Sequence, residues 1–365
     1  MPRTLSRFVF GRAPLRVYWE LTRACDLACR HCRAEAIPVR HPDELNTAEG
    51  LRLLEQLSAF GDPTPHLVLT GGDPLKRPDL WVLIAAARAF GLAVSVAPSA
   101  TALLDATALA HLQEGGVEAI SLSLDGSTAA RHDALRGVPG TFQRTLEAAK
   151  AAAAAELPFQ VNTLVAEETS DDLAAIYLLA SDLGAARWSL FFLVSVGRGA
   201  VLESITPAAA EDLMRWLVEL SAQGVGPVVT TTEGPHFRRV ILQRHGAPVG
   251  GHGAGIRDGN GVMFISHTGD VQPSGFLPLT AGNVRRQHVV QIYREASLFR
   301  TLRRVDLFAG RCGRCEFQWQ CGGSRARAFA ASGDPFGEDP LCSYQPQRER
   351  SPAAASPSPG GLEGA

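Results

Sequence analysis

The sequence predicts an α/β fold, a partial (β/α)6 barrel with a small cysteine-rich domain at its C-terminal end. Three observations lead there. Short apolar or β-branched runs alternate with longer Ala/Leu-rich stretches of helical spacing over the first part of the chain. After about residue 224 the alternation gives way to turn-rich sequence. The cysteines fall into two groups, Cys25, Cys29 and Cys32 near the start and Cys312, Cys315, Cys321 and Cys342 near the end.

RVYWELT (16–22) is the first expected strand, and a helix is expected over 47–60. Further strands are expected at HLVLT (66–70), AVSVA (93–97), AISLSL (119–124), FQVNTLV (159–165) and WSLFFLV (188–194). Helices are expected between them at 79–90, 105–114, 140–155 and 171–183, and after the last at 207–223. Nearly apolar strands separated by helices imply a parallel sheet covered on its faces. Six such units fit a barrel-like array or a doubly wound sheet, and the short strands and even repeat favour the barrel. In both, ligands gather at the C-terminal ends of the strands. The segments at those ends are CDLACRHC (25–32), GGDP (71–74), PSAT (98–101), DGS (125–127) and, near the end of the fifth strand, Asn162 and Thr163. Further on, VMFISHTGDVQPSGFLP (262–278) reads as a hairpin turning at HTGD, followed by a helical stretch over 290–308 and the cysteine-rich CGRCEFQWQCGG (312–323). The chain thus divides into an N-terminal extension (1–13), a barrel (14–224), a cysteine-rich domain (225–345) and a Pro/Ser/Ala/Gly-rich tail (346–365) expected to be disordered.

With 365 residues, 45% apolar and 20% charged, the composition is that of an ordinary globular protein able to bury a large core. A net charge of −2 supplies no general attraction for nucleic acid or an anionic membrane. No apolar run approaches the roughly 20 residues of a membrane span, and the start lacks the apolar stretch and cleavage site of a secretory signal. A cytoplasmic protein with neither nucleic acid nor membrane as partner is expected.

In a reducing compartment, an odd cysteine count split three and four reads as two metal-ligand sets and not as disulfides. The C-x3-C-x2-C set offers three thiolates. Either an imidazole such as that of His31 or His41 completes a structural zinc site, or the set holds a cubane with one iron left free for an outside chelator. The C-x2-C-x5-C-x20-C set offers four thiolates and can close a zinc or an iron–sulfur site by itself.

CDLACRHC is similar to the C-x3-C-x-Φ-C signature of the radical S-adenosylmethionine (SAM) superfamily, with His31 where an aromatic residue is usual. The resemblance implies a partial (β/α)6 TIM-like barrel, a [4Fe–4S] cluster on Cys25, Cys29 and Cys32, and SAM chelating the remaining iron. Gly71-Gly72-Asp73-Pro74 resembles the family's GGEP motif, which binds the SAM amino group, and the glycines permit close backbone approach to a ligand. By the same resemblance Ser99, Thr101, Ser123, Asp125 and Asn162 stand where the family contacts the ribose and carboxylate of SAM. Ser123, Asn162 and His31 are taken as cofactor-binding candidates, with Arg198 a further one.

The C-terminal set resembles the SPASM/Twitch class and implies one auxiliary [4Fe–4S] cluster on Cys312, Cys315, Cys321 and Cys342. Ser274 stands where a full SPASM domain carries a further cysteine. The reduced pattern is similar to radical SAM enzymes of tetrapyrrole side-chain processing, those of nitrite-reductase haem and of alternative haem biosynthesis. This implies a 5′-deoxyadenosyl radical that abstracts hydrogen, oxidative removal of carboxylate side chains from an iron-tetrapyrrole, the auxiliary cluster as electron acceptor, and a reductant such as flavodoxin or ferredoxin. It names no catalytic acid or base. Arg198, Arg257, Arg285 and Arg286 are the cationic candidates for the tetrapyrrole carboxylates. Two alternatives stay open. One is a SPASM-type maturase of a ribosomally made peptide, disfavoured because only about a dozen residues precede the first strand and leave no room for a peptide-binding wing. The other is a non-catalytic metal-binding scaffold, disfavoured by the intact motifs.

Overall fold

The computed structural model describes residues 9–246 and 255–347. A single sheet contains β1 (Arg16–Glu20), β2 (His66–Thr70), β3 (Ala93–Val96), β4 (Ala119–Ser123), β5 (Phe159–Val165), β6 (Arg187–Phe192), β7 (Val228–Thr232), β8 (Val262–Ile265), β9 (Asp270–Gln272) and β10 (Gly282–Asn283). Their order is β10-β9-β8-β1-β2-β3-β4-β5-β6-β7. From β1 to β7 each strand lies parallel to the next, and β8 adds in parallel on the far side of β1. A doubly wound sheet reverses its order at a switch point. This sheet does not reverse, and it keeps β7 and β10 as separate edges. It is an open, partial barrel.

The helices are α1 (Thr47–Ser58), α2 (Leu80–Ala89), α3 (Ala106–Glu114), α4 (Ala129–Arg136), α5 (Thr141–Ala154), α6 (Leu173–Asp182), α7 (Pro207–Ala222) and α8 (His236–His245). Each expected strand and helix of the barrel is present. Two departures matter. A second helix, α4, precedes α5 between β4 and β5, capped by Thr128 at its start and closed by Gly137 at φ +71. The alternation also runs past residue 224 for one further unit, β7 and α8. The VVTTT run of β7 is β-branched throughout, and its threonines conceal a strand that pairs with β6 from Arg187↔Val228 to Phe191↔Thr232.

The strands are not covered equally on both faces. One face carries Val17, Trp19, Leu67, Leu69, Ile120, Leu122, Phe159 and Val161, all buried in one core with the helices. The residues between them include Thr70, Ser121, Ser123 and Asn162, which line a cleft on the other side. A period of two is the side-chain geometry of a strand, so the polar members of otherwise apolar runs mark the cleft.

Beyond the barrel, β8 and β9 form the expected hairpin, with Phe264 opposite Gln272 and Ile265 opposite Val271. The stretch expected to be one helix over 290–308 is instead α9 (Val289–Glu295), α10 (Ser297–Leu302) and a short 3-10 turn. The chain is extended at Ala296 (ψ 133), which separates the two helices. α11 (Gly310–Arg314) and α12 (Arg325–Ser332) follow. The buried Arg327 ties this part to the barrel: it donates to the carbonyls of Leu193 (3.1 Å) and Glu233 (2.7 Å), just beyond β6 and β7, and pairs with Asp339 (3.1 Å). Residues 348–365 of the expected tail, and 1–8 of the N-terminal extension, lie outside the described residues. Among the described residues no helix is long and apolar enough to cross a membrane.

Candidate functional site

The loop after β1 is held from two sides by backbone. On one side, Gly72 N donates to Thr22 O (2.8 Å) and Asp73 N to Ala24 O (2.7 Å). A Cβ on Gly71 would stand 2.4 Å from Thr22 O, and one on Gly72 2.5 Å from Ala24 O. Any side chain at these positions would push the cysteine loop away. The glycines are therefore required by the approach of two loops. On the other side the end of α4 meets the same loop: Ala28 N donates to Arg136 O (3.2 Å) and Arg30 N to Leu135 O (2.9 Å). A Cβ on Gly137 would lie 2.7 Å from Ala28 O.

Clamped in this way, Cys25, Cys29 and Cys32 open onto one cleft of about 1250 Å³ with Gly71, Gly72, Ser99, Ser123, Asn162 and His31. Each sulfur has a donor beside it. Leu27 N points at Cys25 Sγ (3.4 Å), Ala36 N at Cys32 Sγ (3.5 Å), and Arg136 Nη1 at Cys29 Sγ (3.6 Å). Ser99 Oγ lies 3.5 Å from Cys25 Sγ and also bonds Gly72 O (2.9 Å). Burial pushes the Cys25 thiol up, so a bound cation is what would favour its thiolate.

Arg136 is buried and forms an ion pair with the buried Asp125, which also accepts Leu164 N (2.7 Å). Burial works against both charges, but the pair outweighs it: Asp125 is held below and Arg136 above the usual range. Burial and the neighbouring Arg136 lower His31 to about 4, so its imidazole is neutral at pH 7. His31 Nδ1 and two nitrogens of Arg198, Nε and Nη2, are buried without a hydrogen-bond partner, and both residues line the cleft.

The four C-terminal cysteines line a second, small pocket together with His236, Arg239 and Asp339. Cys312 Sγ receives Arg325 Nη2 and Asp339 N, both at 3.4 Å, and Cys315 Sγ receives Phe317 N at 3.4 Å. Burial raises Cys315 to about 11 and Cys321 to about 12. Cys342 is lowered despite its burial, because the neighbouring imidazole of His236 favours its thiolate. His236 in turn is raised to about 9, where Asp339 at 3.3 Å overcomes its burial. After Cys321, Gly322 (φ +69) and Gly323 (φ +65) turn the chain, and a Cβ on Gly323 would stand 2.9 Å from Cys312 Sγ. Among the described residues no three His, Cys, Asp or Glu side chains converge as a single-ion site requires. Four thiols lining one pocket, those of Cys312 and Cys315 backed by N–H donors, match in number and type the ligands that a cubane takes at its corners.

Residues 19–180 match the model of the Radical SAM superfamily. Over 97% of its length the chain is 39% identical to the AdoMet-dependent heme synthase of Oleidesulfovibrio alaskensis, of which it covers 92%. The chain belongs to the radical SAM superfamily. As a radical SAM enzyme it works with a [4Fe–4S] cluster and SAM. It is also 30% identical to the pre-heme d1 synthase of Dinoroseobacter shibae, over 93% of this chain and 88% of that one. Its fold is similar to that of SuiB from Streptococcus suis bound to the precursor peptide SuiA, with a TM-score of 0.73 at 17% identity, covering 91% of this chain and 76% of that one.

Not every residue expected at the radical SAM site faces the cleft. Asp73 is fully buried, its carboxylate bonded by Thr101 Oγ1 (2.9 Å), Leu75 N (3.2 Å) and Ser99 N (3.4 Å). Its acceptor capacity goes to bracing the loops after β2 and β3, and with Pro74 and Thr101 it stands behind the cleft wall. Three of the four arginines expected for a tetrapyrrole are also elsewhere. Arg257 is buried over the Phe308 ring (5.3 Å) and donates to Gly255 O (3.0 Å). Arg285 pairs with Glu49 (2.8 Å) on the outside of α1, and Arg286 beside it is exposed. Arg198 alone of the four is in the cleft. Two cleft residues were missed by sequence reasoning. Arg136 belongs to α4, whose Thr128 cap and Gly137 stop were readable signals. Arg33 lies within the cysteine loop, held by Glu20 (3.0 Å) over the Phe264 ring (4.5 Å).

Proposed function

We propose that this radical SAM enzyme acts on an iron-tetrapyrrole and oxidatively removes carboxylate side chains in haem-type cofactor biosynthesis. What carries this is the 39% identity, over 97% of the chain, to a protein named AdoMet-dependent heme synthase. When bound, the cluster and SAM supply a 5′-deoxyadenosyl radical that takes hydrogen from the substrate. The protein's own part is holding and shielding. Cys25, Cys29 and Cys32 ligate the first cluster and leave one iron position for SAM. Leu27 N, Ala36 N and Arg136 lower the cost of three anionic sulfurs. Gly71, Gly72, His31, Ser123 and Asn162 form the cofactor-facing wall, and Phe191, Leu193, Val194 and Phe276 supply an apolar lining that keeps water out.

Cys312, Cys315, Cys321 and Cys342 hold an auxiliary [4Fe–4S] cluster, for which four thiols on one cavity leave no position vacant. Decarboxylation leaves one electron on the substrate, and this second centre is its acceptor. The barrel, which includes β7 and α8, and the cysteine-rich domain after it act as one unit in the cytoplasm, with flavodoxin or ferredoxin as electron donor. Anaerobic purification tests the ligand sets: about eight irons per chain are expected, with 5′-deoxyadenosine formed from SAM after reduction. Changing Cys25, Cys29 and Cys32 to alanine is expected to remove about half the iron and abolish SAM cleavage. A colourless protein carrying zinc contradicts the proposal.

A further inference from the structure

Arg198 is unlike the other arginines of the cleft. Arg136 pairs with Asp125, and Arg33 with Glu20. Arg198 has two nitrogens, Nε and Nη2, buried against the cleft wall with no acceptor. A guanidinium cannot discharge by losing a proton at ordinary pH, and leaving its buried N–H groups unmatched is costly. An anion in the cleft would satisfy them. The residue is also fixed in position: Arg198 N donates to Cys32 O (3.1 Å), and a Cβ on the preceding Gly197 (φ +53) would stand 2.7 Å from the same carbonyl. The backbone of Arg198 is thus pinned to the cysteine loop, and the guanidinium is carried into the cleft beside it.

The surroundings narrow the kind of anion. Phe191 and Phe276 lie with ring centroids 6.4 Å apart at 58°, and with Leu193 and Val194 they give the same cleft an apolar, aromatic side. A flat apolar body with a carboxylate at its edge fits this combination.

We infer that Arg198 is the substrate-specificity residue of this site, the bidentate receptor for one side-chain carboxylate of a macrocycle lying against Phe191 and Phe276. This rests on the iron-tetrapyrrole reading above. It also says which carboxylate is held. A carboxylate paired with a permanent cation loses that pairing if it departs as neutral carbon dioxide. Arg198 therefore grips a side chain that survives into the product and leaves a different one to react. Substrate and product then share the anchor, and a macrocycle without acids lacks it.

The test is an anaerobic absorption titration of the iron-loaded enzyme with iron-coproporphyrin III, with haem and with the tetramethyl ester of the former, for wild type, Arg198→Lys and Arg198→Gln. SAM affinity is measured on the same preparations, and iron content checks folding. Wild type is expected to bind both acids and to bind the ester at least about tenfold more weakly. Arg198→Gln is expected to lose about tenfold or more toward both acids and little toward the ester, with Arg198→Lys in between because it keeps charge but not the fork. Equal affinity of wild type and Arg198→Gln for the acids overturns the assignment alone. A loss confined to SAM also overturns it, since the bound carboxylate is then that of SAM. If wild type binds no iron porphyrin, the tetrapyrrole reading fails and takes this assignment with it.

Discussion

Replacing Arg136 by methionine removes the cation paired with the buried carboxylate of Asp125. Asp125 is 3% exposed and Arg136 9% exposed, so neither charge can be handed to water. Breaking a buried pair by removing one partner costs about 3–5 kcal/mol. At roughly 2 cal/mol/K per residue, the 365 residues unfold with an entropy near 0.8 kcal/mol/K, so Tm is expected to fall by about 4–6 °C. The companion change Asp125→Asn keeps an acceptor for Leu164 N (2.7 Å) while discarding the charge. The double variant Asp125→Asn/Arg136→Met is therefore expected to regain most of the lost stability. Thermal unfolding of the wild type, both single variants and the double closes the cycle. An unchanged Tm in Arg136→Met, or a double variant as unstable as the sum of the singles, refutes the claim that this pair is held together by mutual charge.

Gly72→Ala drives a Cβ to 2.5 Å from Ala24 O and 2.6 Å from Arg23 O. It is expected to cost about 1–3 kcal/mol and to lower the iron held at the first cysteine set, and wild-type values of both Tm and iron content would contradict this. His132 is fully buried, and burial together with Arg136 lowers it from 6.5 to about 4. As pH falls the unfolded chain takes up this proton first, so the stability is intact above pH 6.5 and is lost between 6.5 and about 4, by up to about 3 kcal/mol. Denaturant unfolding across that window measures the slope, and His132→Gln should reduce it, leaving the share of His31, which is lowered to about 4 in the same way. Arg285→Ala breaks a pair that is partly open to water and is expected to cost under about 1 kcal/mol with porphyrin affinity unaltered; weakened binding would return Arg285 to the site.

The barrel and the cleft were legible because both follow from periodicity. Six strands sit where apolar runs met turn residues, and the segments after five of them converge because parallel strands end on one rim. What escaped depended on tertiary contact. Asp73 has the chemistry of a ligand, but Thr101 and two backbone amides claim its oxygens. Arg257, Arg285 and Arg198 are equivalent as letters. Only the fold separates the one stacked on Phe308, the one paired with Glu49 and the one left unpaired in the cleft. β7 was lost because three of its five residues are threonine, and α4 because a strong helix, α5, follows it closely. The cysteine spacing picks out the two groups that line the two pockets, but the donors behind five of the sulfurs come from Leu27, Ala36, Arg136, Phe317, Arg325 and Asp339, which no spacing rule reveals.

Mass spectrometry of the anaerobic reaction decides most directly. The iron-loaded enzyme is incubated with SAM, a one-electron reductant and iron-coproporphyrin III, and both the porphyrin and the adenosyl product are followed. The porphyrin is expected to lose the elements of formic acid from a propionate, leaving a vinyl group, with 5′-deoxyadenosine and carbon dioxide formed in step with each conversion. Steady formation of 5′-deoxyadenosine while the porphyrin mass stays constant would contradict an iron-tetrapyrrole substrate.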